Sequence, residues 1–242
     1  MSFAIAHRGA SQLAPENTLS ALKLAGQHGA KWVECDIQLT RDNQPVIFHD
    51  HTLARTTNGH GFVAMTGSAK MASLDAGSWF SETYKAERVP TLQEWLQCAA
   101  DINVGLNLEI KSTTKKESIL LAEKVIDHLQ KYFPPHSDKI FVSSSNAFAL
   151  MQVAERAKSL PLGLITEKKL LPKEAMNLSN NRILSVHQPY RLMTREYVEM
   201  LHESGLYALA YTVNDVSEAN RLRDIEMDGI FTDDEKLFGR VW

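Results

Sequence analysis

The chain is poor in cysteine. Its 242 residues include two, Cys35 and Cys98. That is too few for a disulfide framework, and neither stands in a Cys/His cluster of zinc-site spacing. No apolar run approaches the roughly 18–20 residues that a bilayer-spanning helix needs, so membrane insertion is not expected. Basic charge is not in excess. Lys and Arg number 26 against 29 Asp and Glu, a formal net charge of −3, so the bulk charge gives no reason to expect nucleic acid. There is no Gly-rich strand–turn–helix fingerprint, which weakens an open doubly wound sheet as the fold. The first residues, Met1-Ser2-Phe3-Ala4-Ile5-Ala6-His7-Arg8, show no basic stretch followed by a long apolar one. The expectation is a cytoplasmic protein.

What is present is the balance of an ordinary globular chain, 44% hydrophobic and 23% charged, enough to bury a sizeable core. Eight short apolar segments read as strands: 3–6, 32–38, 105–110, 140–143, 162–165, 183–186, 207–212 and 229–232. Between most of them lie segments with apolar residues at helical spacing: 17–28, 91–100, 118–129, 148–157, 194–204 and 217–224. This alternation predicts parallel strands in an α/β fold. One further strand-like segment, 45–48, follows the second strand after only six residues, 39–44. A parallel crossover needs about a dozen or more, so this arm runs antiparallel as half of a hairpin, turned at Asp42-Asn43. With it set aside, eight strands predict a TIM (β/α)8 barrel spanning 1–242 as one domain. Residues 51–90 keep no strand–helix rhythm and are read as an insertion after the second barrel strand, packed over the catalytic face.

In such a barrel the chemistry sits at the C-terminal ends of the strands. Polar residues recur there: His7-Arg8-Gly9, Glu34 with Asp36, Glu109-Ile110-Lys111, Ser143 to Ser145, His187, Tyr211 to Asn214, and Thr232-Asp233, with His49-Asp50 on the hairpin arm. Glu34 and Asp36, two apart on a strand, face the barrel interior together, with Glu109 beside them on the next strand. Three carboxylates with no soft ligand suit one hard divalent cation, Mg²⁺ or Ca²⁺. The plainer reading pairs each acid with an Arg or Lys. Cys35, on the opposite face, is read as a small core residue. His7 and His49 each terminate an apolar strand and are the candidate general acid and base. Arg8 and Lys111, next to these groups, suggest an anionic substrate such as a phosphate. His187 and Tyr211 are candidates for the substrate pocket wall.

These residues carry a family resemblance. His7-Arg8-Gly9 with Pro15-Glu16-Asn17-Thr18 comes first, then Glu34-x-Asp36 with Thr40 and Asp42, then His49-Asp50 with Leu53, Arg55-Thr56-Thr57, Gly59 and Gly61. Asp75-Ala76-Gly77, Pro90-Thr91-Leu92, Leu108 to Lys111, Tyr211 to Asn214, and Asp228 to Asp233 follow in order. The chain resembles the glycerophosphodiester phosphodiesterases of the short bacterial cytoplasmic type over essentially its whole length. After Thr232-Asp233 it departs from them, with Asp234 and Glu235 where many members carry proline. The resemblance implies metal ligation by Glu34, Asp36 and Glu109, a catalytic pair in His7 and His49, and phosphate binding by Arg8 and Lys111. It implies hydrolysis of a glycerophosphodiester to sn-glycerol 3-phosphate and an alcohol, with water or the substrate's own 2-hydroxyl as nucleophile. One alternative is a lysophospholipase D-like lipid enzyme whose acyl groove draws on Trp79, Phe80 and Tyr84. Another is a non-catalytic glycerophosphodiester-binding barrel, against which the full set of carboxylates and histidines stands.

Overall fold

Strand β1 (Phe3–Ala6) hydrogen-bonds both to β2 (Trp32–Leu39) and to β9 (Gly229–Thr232), and this double pairing closes the sheet. The computed structural model describes residues 3–133 and 139–239. Around the ring run β4 (Gly105–Ile110), β5 (Ile140–Ser144), β6 (Leu162–Ile165), β7 (Ser185–Pro189) and β8 (Tyr207–Tyr211), all parallel. Eight parallel strands with helices between them make a TIM barrel. The expected hairpin arm is β3 (Pro45–Ile47), antiparallel to β2 with Ile37 opposite Ile47.

The helices are α1 (Leu19–Gln27), α2 (Ser68–Ser73), α3 (Leu92–Asp101), α4 (Lys115–Tyr132), α5 (Ala147–Arg156), α6 (Pro172–Asn180), α7 (Arg195–Glu203) and α8 (Val216–Asp224). Many start on a side chain suited to the task. Thr18, Thr114, Asn146, Thr194 and Asp215 each accept a backbone N–H of the first turn, and Thr91 with Glu94 forms a full capping box. Each such cap satisfies a donor the helix itself leaves open. Helix α6 has no counterpart in the sequence reading. Its only buried residue is Ala175, so it carries no apolar stripe to detect. Strand β7 begins two residues later than expected and runs on to Pro189, because its polar His187 and Gln188 are buried.

Alternation along β2 divides its side chains between two environments. Val33, Cys35 and Ile37 face outward into the main core with Leu22, Trp95 and Leu96 of the surrounding helices. Trp32, Glu34 and Asp36 face inward. Inside the barrel, Ile5, Phe141, Leu209 and Phe231 form a smaller apolar cluster beneath the polar groups. The 51–90 segment has an apolar cluster of its own, in which Leu53, Val63, Met71, Leu74, Ala76 and Val89 pack on Val46 and Phe48 of the hairpin arm. It folds back so closely that a Cβ at Gly77 would collide with the Tyr84 carbonyl, which leaves glycine as the residue that fits.

Candidate active site

Strand register assembles the site. The β2–β4 pairing sets Asp36 opposite Glu109 and Glu34 opposite Asn107. Ligand oxygens of Glu34, Asp36 and Glu109 all lie within 4.8 Å of one another. The β1–β9 pairing sets Ala6 opposite Thr232, so the next residues, His7 and Asp233, meet with Nδ1 2.8 Å from Oδ1. The hairpin continues one residue past β3, where the Phe48 N–H donates to the Asp36 carbonyl at 2.8 Å. Gln38 then fixes the turn that follows, its Nε2 donating to the carbonyls of Phe48, His49 and Asp50.

Both imidazoles are held alike. His49 Nδ1 lies 2.6 Å from Asp50 Oδ1. A carboxylate only accepts, so Nδ1 is the donor in each pair and Nε2 remains for proton transfer. Asp233 also accepts from Ser11 and Asn214, and the bonds and charge of His7 hold it down at about 2 against the effect of burial. Burial lowers His49 below its ordinary value, against the pull of Asp36, which favours the neutral imidazole.

The carboxylate cluster is electrostatically loaded. Glu34 and Asp36 are 2% and 1% exposed. Burial, then the charges of Asp36 and Glu109, push Glu34 well above the usual carboxylate range. Burial and Asp36 push Glu109 up to about 7. Burial would also raise Asp36, yet Lys111 and Arg8 outweigh it and hold that carboxyl below its ordinary range. Lys111 Nζ lies 3.1 Å from Asp36 Oδ1 and 3.8 Å from Glu109 Oε1. Asn17 donates to Asp36 Oδ2 at 2.8 Å. The Arg8 backbone, in the left-handed region at φ 58°, aims its N–H at Glu34 Oε2, 2.9 Å away. Glu34 Oε1 is buried with no hydrogen-bond partner among the described residues. A buried acceptor left open within a cluster of acids fits a bound cation.

These groups converge on one pocket of ≈ 210 Å³, lined by His7, Arg8, Glu34, His49, Glu109 and Lys111, with His187 and Tyr211 also in its wall. A model of the glycerophosphoryl diester phosphodiesterase family matches residues 7–237. A glycerophosphodiester phosphodiesterase of Caldanaerobacter subterraneus subsp. tengcongensis is 36% identical over 234 residues, covering 95% of this chain and 93% of that protein. One from Bacillus subtilis is 32% identical across 98% of this chain and 85% of its own. A phosphodiesterase of Oleispira antarctica, solved in complex with the product sn-glycerol-3-phosphate, shares the fold with a TM-score of 0.93 and 34% identity over 98% of this chain and 95% of its own. The chain belongs to the glycerophosphoryl diester phosphodiesterase family.

In this family member the two expected wall residues differ in character. His187 is 1% exposed, packed between the rings of Phe141 and Phe231 at 5.8 and 5.0 Å, with Nε2 3.0 Å from Ser185 Oγ. Burial holds it down at about 3, so it is neutral. Tyr211 is half-buried, and burial with the charges of Glu167 and Glu109 pushes its phenol up to about 12. Trp79, Phe80 and Tyr84 are not among the described residues lining the pocket. They stack edge-on against each other, and Tyr84 Oη donates to the Leu13 carbonyl. Glu16, Asn17, Asp50, Arg55 and Asp233 stand in the quoted motifs and strand ends without a chemical role, and Gln38 without mention beyond its strand, yet all six brace the site. His49-Asp50 adjacency was a local signal. The partnership of His7 with Asp233 spans 226 positions and exists only through barrel closure.

Proposed function

We propose that the chain, acting from 1 to 242 as one cytoplasmic barrel domain with 51–90 as an insertion, hydrolyses glycerophosphodiesters to sn-glycerol 3-phosphate and an alcohol. One observation carries the reading: three carboxylates lie within 4.8 Å of one another, and two of them, Glu34 and Glu109, line one pocket with two carboxylate-backed imidazoles. The product bound to the Oleispira antarctica relative supports it. Glu34, Asp36 and Glu109 would hold a single Mg²⁺ or Ca²⁺, which when bound supplies a Lewis acid for a phosphoryl oxygen. His7 and His49 divide the proton work. One Nε2 takes the proton of the nucleophile, and the other returns one to the leaving alkoxide. Arg8 and Lys111 stabilise negative charge on the phosphoryl oxygens. His187 and Tyr211 shape the wall.

The test is release of sn-glycerol 3-phosphate from glycerophosphocholine, glycerophosphoethanolamine and glycerophosphoglycerol, and of lysophosphatidic acid from a lysophospholipid, with and without EDTA. Release from the small diesters should stop in EDTA and return with Mg²⁺ or Ca²⁺. No release from any of them would end the reading, and preference for the lysophospholipid would replace it with a lipid phosphodiesterase.

A further inference from the structure

Arg55 lies outside the substrate pocket, on the insertion, yet it touches the supports of both walls of the site. Its Nε donates to Asp50 Oδ2 at 2.7 Å and its Nη2 to Asp50 Oδ1 at 2.9 Å. Its Nη1 donates to Glu16 Oε2 and its Nη2 to Glu16 Oε1, both at 2.7 Å. Asp50 Oδ1 is the atom that accepts His49 Nδ1–H. Glu16 Oε1 is the atom that accepts Arg8 Nη1–H at 2.7 Å. The chain of contacts therefore runs His49–Asp50–Arg55–Glu16–Arg8. It links the hairpin arm to the loop after β1 across a single guanidinium.

We propose that Arg55 is a positioning residue that fixes His49 and Arg8 together, so that the insertion sets the geometry of proton transfer and phosphate binding at once. The inference rests on the roles proposed above for His49 and Arg8. Only a planar fork with donors on two edges can serve two carboxylates in this way, and a lysine point charge cannot. The Arg55 side chain is 44% exposed. The carboxylates it joins are 13% and 23% exposed, and a bidentate network of this kind can add stability as well as alignment, so turnover and melting are read separately. Misplacing a reacting group by about 1 Å can cost about 100-fold in rate, which makes a small tilt of the Asp50 plane matter.

The experiment compares wild type, Arg55→Ala, Arg55→Lys, Asp50→Asn and the Arg55→Ala/Asp50→Asn pair on glycerophosphocholine, with thermal melting alongside. Arg55→Ala should lose about 100-fold in kcat/KM, with kcat lowered through His49 and KM raised through Arg8, and with little change in melting temperature. Arg55→Lys should recover only part of it. Added guanidinium should restore turnover to Arg55→Ala while leaving wild type unaffected, because the site is open to solvent. The paired variant should lose less than the two single losses combined, since both changes break the His49 arm while only Arg55→Ala also breaks the Arg8 arm. A kcat for Arg55→Ala within about twofold of wild type, additive losses, or a loss that follows melting and ignores guanidinium would each overturn the proposal. An inactive wild type would instead defeat the proposed activity. In that case the Nδ1–H proton resonance of His49 still decides the matter, because it should shift on Arg55→Ala, and an unmoved signal overturns the positioning role.

Discussion

Asp36 and Glu109 are register partners on adjacent parallel strands, and Lys111 Nζ reaches toward both, 3.1 Å from one and 3.8 Å from the other. One lysine and one arginine cannot neutralise three inward acids, and Glu34 Oε1 is left without a donor among the described residues. A divalent cation would relieve this repulsion and so stabilise the fold by mass action. At about 100 times its dissociation constant it contributes about 2.7 kcal/mol, or about 5–10 °C in melting temperature for a chain of this size. Melting scans with Mg²⁺ and with Ca²⁺ should show that rise for at least one ion. Glu34→Gln should abolish the rise while being no less stable than wild type without metal, because burial and the neighbouring acids already press Glu34 toward a neutral form that Gln matches in shape. Scans that neither ion moves would remove the cation from the site.

The two imidazoles carry a second expectation. His7→Ala and His49→Ala should each lower kcat by about 10²–10⁴-fold, the usual range for general acid–base groups. Circular dichroism should be unchanged, since both side chains are partly exposed. Asp233→Asn should cost less than His7→Ala, because the imidazole stays while its orienting charge goes. Turnover that survives both alanine changes would exclude acid–base work by this pair.

The barrel was legible in the sequence because strand and helix periods differ and the hairpin arm is too close to β2 for a crossover. Glu34 and Asp36 were legible as a pair because alternation puts i and i+2 on one face. His7, Arg8 and Lys111 stood next to apolar strands. What stayed hidden depends on closure or on side-chain reach. Asp233 meets His7 only when β9 pairs with β1. Arg55 read as part of a loop motif, and its role appears only when the insertion folds back onto Glu16 and Asp50. Helix α6 stayed hidden because almost none of it is buried. His187 looked like a strand terminus, and burial in the barrel makes it a middle residue of β7 instead.

The His187 ring occupies space that Gly163 leaves open. A methyl at Gly163 would meet His187 Cε1 at 2.7 Å and Ser185 Oγ at 2.8 Å. Gly163→Ala should destabilise by about 1–3 kcal/mol, the usual cost of overpacking a filled interior. Combining it with His187→Ala should cost less than the sum of the two, because the second change empties the space the first one needs. Urea unfolding of the four proteins measures this coupling, and strictly additive losses would show that the ring and the glycine do not compete for room.

His187 also makes stability depend on pH. Its folded value is held down at about 3 by burial, against 6.5 for an unperturbed histidine. Below pH 6.5 the unfolded chain therefore takes up a proton that the native barrel refuses. Stability rises with pH wherever the unfolded state binds more protons, so this contribution is intact above about pH 6.5 and is lost progressively toward about pH 3. At pH 5 the loss from this one group is about 2 kcal/mol, from a 1.36 kcal/mol cost per pH unit. His187→Gln keeps a polar partner for Ser185 and cannot titrate. Urea midpoints at pH 7.5 and pH 5 should fall further apart for wild type than for His187→Gln. Equal spacing in the two proteins would mean that His187 gains its proton in the folded state and is not sealed within the barrel.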